Sequence, residues 1–381
     1  IPPSFAYPDV LKSFKTPVTV RADFDVQRQL QLDRLEQEES WGAIPLKVGK
    51  RLPVNLSIKS SGDWSTLPDG TKIWRLTISS PDAVAIMLYY DEFYIPEEGK
   101  LFIYNDSKSH VLGAYTSKTN PDNRVFATEF VQGDKLTLEY VMPPRMESMP
   151  EELPKIKISD VVYGYANIRV PGANEEHIKT GIYNDPENTC MVNVNCSPEG
   201  ESWQVEKRGV AATIAPIISQ PGYVGLCSGT MINNTAQDLT PYYLTAWHCF
   251  EDGSDNDMAL TVFHFHYETP GCTSPSAAPT SSTVVGAEIL ASINANGGSD
   301  GQLLRLLTAI PMEYGVYYNG WDRRNTPAES GVGIHHPGAD VKKISTFTSP
   351  AIPSSWNASG YIGATDAHWR VQFVATPNGH S

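Results

Sequence analysis

Ala246-Trp247-His248-Cys249, preceded by Cys227-Ser228-Gly229-Thr230, constrains this chain more than any other feature. Apolar residues lead into each element, Val224 to Leu226 before the first and Tyr242-Tyr243-Leu244-Thr245 before the second. The pattern predicts two strands, with a histidine in the turn just past the second. Cys249 can bridge back to Cys227 and fix where the imidazole points. A general base needs such fixing, because its nitrogen must lie within hydrogen-bond reach of the group it deprotonates. The chain has 381 residues, long for one core, so two domains are the default expectation.

The surrounding strings resemble the catalytic-histidine region of chymotrypsin-like serine proteases, and among them the bacterial lysyl endopeptidase group. The resemblance runs over about 186–381. It is carried by Leu244-Thr245-Ala246-Trp247-His248-Cys249, Cys190 with Cys196-Ser-Pro-Glu-Gly, Asn233-Asn234-Thr235-Ala236, Gly320-Trp321-Asp322-Arg323-Arg324 and Ile334-His335-His336-Pro337. It implies a His-Asp-Ser triad in that chain order. His248 takes the role of base. Asp300, in Ser299-Asp300-Gly301-Gln302-Leu303-Leu304, resembles the family's aspartate at the head of a buried strand, although Gly301 stands where relatives carry an apolar residue. Asp252, Asp255 and Asp257, in the acidic loop after His248, are the rival acids. The family's nucleophile lies in a Gly-Ser-Ser-Gly-Ser-Pro-like string, whose backbone N–H groups also form the oxyanion hole. No such string stands in the 381 residues, and Ser381 is a poor match to it. The expectation is a chain that stops short of its nucleophile and does not itself hydrolyse peptides. The lysine-binding acid is expected to follow the nucleophile, so lysine preference comes by analogy alone.

All five cysteines lie between 190 and 272, which suggests a stapled C-terminal domain in an oxidising compartment, secreted or at the cell surface. The resemblance implies Cys227–Cys249 and Cys196–Cys272, with Cys190 unpaired among these five. It also implies an N-terminal pro-region cut off near the linker, with Lys179 as a processing point. A net charge of −14 argues against nucleic acid as a partner. No apolar run approaches the ~20 residues that a membrane helix needs.

The fold expected is all-β: an N-terminal antiparallel β-sandwich over 1–168, a polar linker over 169–185, and an incomplete chymotrypsin-like double β-barrel over 186–381. Alternation in Ile73-Trp-Arg-Leu-Thr-Ile78 and Lys100-Leu-Phe-Ile-Tyr104 supports the sandwich. Residues 26–32 show weak helical periodicity, and Asp33 to Ser40 reads as a solvated helix end or linker. His264 and His266 would share one strand face as a metal pair, but no third ligand is evident; no metal and no cofactor is expected. Trp356 and Trp369 are candidates to stack near the site. Protein or peptide substrates are the expected partners, with a contact between pro-domain and protease domain. A protease-like binding or adhesion protein is the alternative. A third reading makes the N-terminal aromatics (Trp64, Trp74, Tyr89, Tyr90, Tyr94) a carbohydrate- or surface-binding platform.

Overall fold

The structure is a computed structural model that describes residues 1–7, 16–40, 44–144, 153–166, 191–272, 282–358 and 361–379. Lys179, Cys190 and Ser381 lie outside the described residues. The all-β expectation holds: strands dominate and helices are few. The chain divides into two compact units. One comprises Ile1–Val26 and Gly49–Tyr165; the other comprises Gln27–Val48 with 166 and the described residues from 191 onward.

The first unit has two sheets. In one, Lys135–Met142 pairs antiparallel with Lys72–Ser79 and with Lys100–Asn105. In the other, Lys155–Gly164 pairs antiparallel with 49–57 and with Ala85–Tyr94. Aromatic rings fill the space between, as where Phe93 of the second sheet meets Tyr115 of the first at 6.2 Å. Trp74, Tyr89 and Tyr90 are buried here and belong to the core, while Trp64 is exposed. The alternation read in Ile73 to Ile78 fails at Arg75, which is buried opposite a buried Glu139. The N-terminal segment explains this, because it covers that face. Ser4 N donates to Glu139 Oε1 at 2.9 Å, Tyr104 OH donates to Glu139 Oε2 at 2.8 Å, and Phe5 packs edge-on against Tyr104.

In the second unit, seven strands follow one path: Ser282–Val285, Val262–Phe265, Val210–Pro216, Tyr223–Ile232, Tyr242–Ala246, Gly301–Leu306 and Ala287–Ile293. The first and last of these are separated in sequence only by Gly286, whose φ of +86° turns the corner. The sheet therefore curls round on a core of Met231, Tyr243, Phe250, Phe263, Phe265 and Leu304. No ladder joins its two ends among the described residues. Nor do those residues close a second barrel: they contribute the three-stranded sheet Val192–Asn193, Lys343–Phe347, Gly331–His335 and two short hairpins. The second hairpin pairs Asn357–Ala358 with Tyr361–Ile362.

The stretch read as solvated is partly buried, and so is a second charged cluster. Helix Val26–Ser40 runs unbroken through the acidic stretch, and its Asp33 is buried against Lys47 Nζ at 3.1 Å. Tyr223 OH donates to Gln29 of the same helix at 2.8 Å. Further along, Lys342 is fully buried; its Nζ donates to Glu268 Oε2 at 3.0 Å and to the Lys207 carbonyl at 2.8 Å. Lys207 Nζ takes the other Glu268 oxygen at 2.5 Å. Burial works against the charged form of Glu268, but the two ammoniums outweigh it and hold the carboxyl down at about 2.

Candidate active site

Register places His248 beside Asp300. Strand Tyr242–Ala246 pairs antiparallel with Gly301–Leu306, with Ala246 opposite Gly301. The residue after one strand therefore meets the residue before the other. Beyond Ala246 the chain enters the 3₁₀ turn Trp247–Cys249. Trp247 N donates to the Asp300 carbonyl at 3.1 Å. Asp300 has φ of +54°, a left-handed conformation that aspartate adopts more readily than most residues. The result aims its side chain back at the turn.

Both carboxylate oxygens of Asp300 then accept from His248. The backbone N donates to Oδ1 at 2.9 Å, and Nδ1 donates to Oδ2 at 2.6 Å. A carboxylate only accepts, so Nδ1 carries the hydrogen and Nε2 presents a lone pair. Nε2 makes no hydrogen bond among the described residues. The pair is mostly sheltered, with side-chain exposures of 16% for His248 and 10% for Asp300. Such an arrangement can accept a proton at Nε2 and stabilise the resulting imidazolium through Oδ2.

The disulfide Cys227–Cys249 ties the turn to strand Tyr223–Ile232, with Cα atoms 6.1 Å apart. Cys196–Cys272 is the second disulfide, so both pairings implied by the family resemblance are present. Cys227, His248 and Cys249 cluster as a metal site would. However, the two sulfurs are bonded to each other and are not thiolates, so they do not fit a metal.

The rival acids have other tasks. Asp257 forms a capping box with Ser254 on helix Asp255–Ala259, and Asp255 sits in the first turn of the same helix. Asp252 Oδ1 accepts from Trp247 Nε1 at 3.4 Å. A Cβ added at Gly301 would meet nothing within 4 Å, so nothing at that position forces glycine by close contact.

His264 and His266 do not form the metal pair that strand alternation suggested. The strand ends at Phe265, and His266 turns away with φ of +58°, where its Nε2 donates to the Tyr314 carbonyl at 2.6 Å. His264 stays in the strand, and burial pushes its imidazole down to about 4. His336 is buried; its N donates to Ser228 Oγ at 2.9 Å, beside Cys227. Asp322 pairs with Arg324, exposed to solvent.

Of the two tryptophans, Trp356 reaches the site. Its ring stacks on His248 with centroids 6.4 Å apart and planes 28° from parallel. Trp369 is 44% exposed, on a strand edge opposite Pro353. The hairpin carrying Trp356 is seated on the turn just before Asp300: Gly297 N donates to the Ile362 carbonyl at 2.8 Å, and Ala364 N donates to the Gly298 carbonyl at 3.0 Å. Tyr361 packs on Trp356 at 6.3 Å and on Trp247 at 6.3 Å. Burial, then Glu251 and Asp300, raise the Tyr361 hydroxyl above the usual phenol range. Sequence reasoning missed Tyr361, and nothing in its local string (Gly360-Tyr361-Ile362-Gly363) marks it.

Residues 185–381 match the family described as lysyl endopeptidase, C-terminal domain. A lysyl endopeptidase of Pseudomonas aeruginosa is 26% identical over 350 residues, which is 86% of this chain and 70% of that protein.

Proposed function

The chain belongs to the lysyl endopeptidase family and is a protease of that family, and from that premise we propose that it is a secreted serine endopeptidase whose His248 and Asp300 are two members of a His-Asp-Ser triad. The observation that carries this reading is the double acceptance by Asp300 from His248, at Nδ1 and at the backbone N. In the proposed reaction, His248 Nε2 takes the proton from a serine hydroxyl as it attacks the scissile carbonyl, then returns it to the leaving amine. Asp300 holds the tautomer and faces the imidazolium. No Gly-Ser-Ser-Gly-Ser-Pro string stands in these 381 residues, so the nucleophile and the oxyanion hole are assigned to none of them.

The name of the Pseudomonas relative supports a preference for lysine at the cleaved bond. Two disulfides favour export, and no helix among the described residues is long and apolar enough to cross a membrane. Residues 1–168 are proposed as a pro- or accessory region released by cleavage near Lys179, although Gln27–Val48 within it belongs to the same compact unit as the protease strands.

The test compares two proteins on peptides ending in a lysyl reporter group. One is the 381-residue chain; the other, the parent, is that chain joined to a serine-bearing string of the family. The parent should cleave, parent His248→Ala should not, and the 381-residue chain should be inactive. Turnover that survives His248→Ala would dismiss the triad and leave a different chemistry, while a parent that does not cleave would leave a binding protein. Activity of the 381-residue chain that His248→Ala removes would place the nucleophile within it.

A further inference from the structure

The ring stack over His248 continues past Trp356. His368, from the separate strand His368–Arg370, packs against the same indole with centroids 6.0 Å apart and planes at 49°. Both ring nitrogens of His368 are buried, and neither has a hydrogen-bond partner among the described residues. An imidazole ring has two nitrogens that can hydrogen-bond, and here neither is used to anchor it to a described residue. Hydrogen bonds to the described residues do not hold this side chain in place, whereas its ring packs on Trp356. A Cβ at Gly363 would lie 3.1 Å from His368 Cε1 and 2.7 Å from the Trp356 carbonyl oxygen, so the three residues are packed without slack. Gly363 N donates to that same carbonyl at 3.0 Å. In the ladder, His368 lies opposite Ser354, two positions before Trp356. The tryptophan is thus held at its backbone by Gly363 and at its ring by His368 and Tyr361.

We propose that His368 is a positioning residue for His248, acting through Trp356. Its ring sets the angle at which the indole packs on the imidazole, and so keeps water from the His248–Asp300 pair. This inference rests on the reading of that pair given above.

Nuclear magnetic resonance of the 381-residue chain tests it without any need for turnover. Two signatures are read: the chemical shifts of the His248 ring protons, which feel the Trp356 ring current, and the low-field Nδ1 proton shared with Asp300. In His368→Ala, the ring-current displacement of His248 should be lost. The Nδ1 proton should exchange with water about tenfold faster, the order that one aromatic contact contributes. His368→Phe, which keeps a ring and removes the nitrogens, should restore both signatures. His368→Gln, with polar atoms and no ring, should behave as Ala does, and it carries the comparison if the Ala variant does not fold. Wild-type His248 signatures in folded His368→Ala or His368→Gln would overturn the proposal, as would failure of Phe to restore them. Asp300→Asn is the control. If it leaves the low-field proton in place, the reading of the pair itself fails, whatever the His368 variants do.

Discussion

Glu268 and Asp300 are both sheltered carboxylates that hold basic side chains, and they do so on different terms. Each oxygen of Glu268 is taken by a different lysine, Lys207 on one side and Lys342 on the other. Lys342 also donates to a carbonyl, and Lys207 to Asn195. That network is closed. Asp300 gives both oxygens to one residue, His248, and thereby fixes a ring whose far nitrogen is left without a partner among the described residues. A closed network stabilises a fold by satisfying every group it buries. One that ends in an available nitrogen under an aromatic cover has a group that can take up a proton, as the proposed role of His248 requires. The two carboxylates should therefore respond to substitution in opposite ways, one through stability and the other through rate.

The largest effect is expected at Asp300. If the proposed triad holds, Asp300→Asn in the chain joined to the serine-bearing string should lower kcat about ten-thousand-fold, because the amide favours the wrong tautomer of His248. KM should stay nearly constant. A rise in KM with kcat preserved would mean that Asp300 serves binding, and the contrast would collapse. Next comes Glu268→Gln, which leaves two ammoniums facing a neutral amide. Breaking a buried pair in this way costs roughly 3–5 kcal/mol, read as a lower urea midpoint. An unchanged midpoint would show that Glu268 does not hold the unit together.

Acid titration sharpens the same contrast. Glu268 titrates near 2 when folded against an ordinary 4.5, so the unfolded chain takes up its proton first as pH falls. Its contribution is complete above 4.5 and is lost on the way down to about 2. His264, at about 4 against an ordinary 6.5, also favours protonation of the unfolded chain, so stability drops between 6.5 and 4 as well. Wild-type protein should lose stability across both windows. Glu268→Gln should keep the upper loss and flatten the lower one, which denaturant unfolding at several pH values would reveal.

What the sequence disclosed follows the range of the interactions involved. Tyr242–Ala246 and Gly301–Leu306 were legible as apolar runs between turn residues, and His248 and Asp300 stood out at their ends. The register that joins them was not legible, because pairing across more than fifty residues leaves no local trace. Strand Lys343–Phe347 has no comparable apolar run to mark it, for a physical reason. Lys342 and Lys343 look like a solvated face, and it takes Glu268, the Lys207 carbonyl, Asn193 and Asp340 in the folded chain to make their burial tolerable. The helix through Asp33 was read as solvated on the same grounds, with Lys47 the absent counter-charge. Trp356 could be suspected but not placed, since it comes from a hairpin of two-residue strands among glycine, serine and asparagine. The disulfides were legible through family resemblance, not spacing.

The smallest effects are expected at the two glycines beside Asp300, and they separate a tolerated gap from a required one. At Gly298 a Cβ would lie 2.3 Å from the Asn294 carbonyl oxygen and 2.6 Å from Ile293 Cγ2. Gly298→Ala must therefore shift the turn whose carbonyl receives Ala364 N, and the Trp356 hairpin should move with it. His248 fluorescence quenching of Trp356, or the ring-current shift itself, would register the movement. Gly301 is the opposite case: it sits in a ladder opposite Ala246 and Ile293, with open space where a Cβ would go. Alanine there removes backbone freedom from the unfolded chain and meets no atom in the folded one. Gly301→Ala should raise stability by about 0.4–1 kcal/mol and leave the His248 signatures unchanged. A destabilised variant would mean that position 301 depends on glycine's freedom, and that its departure from the family's apolar residue is a local requirement of this site.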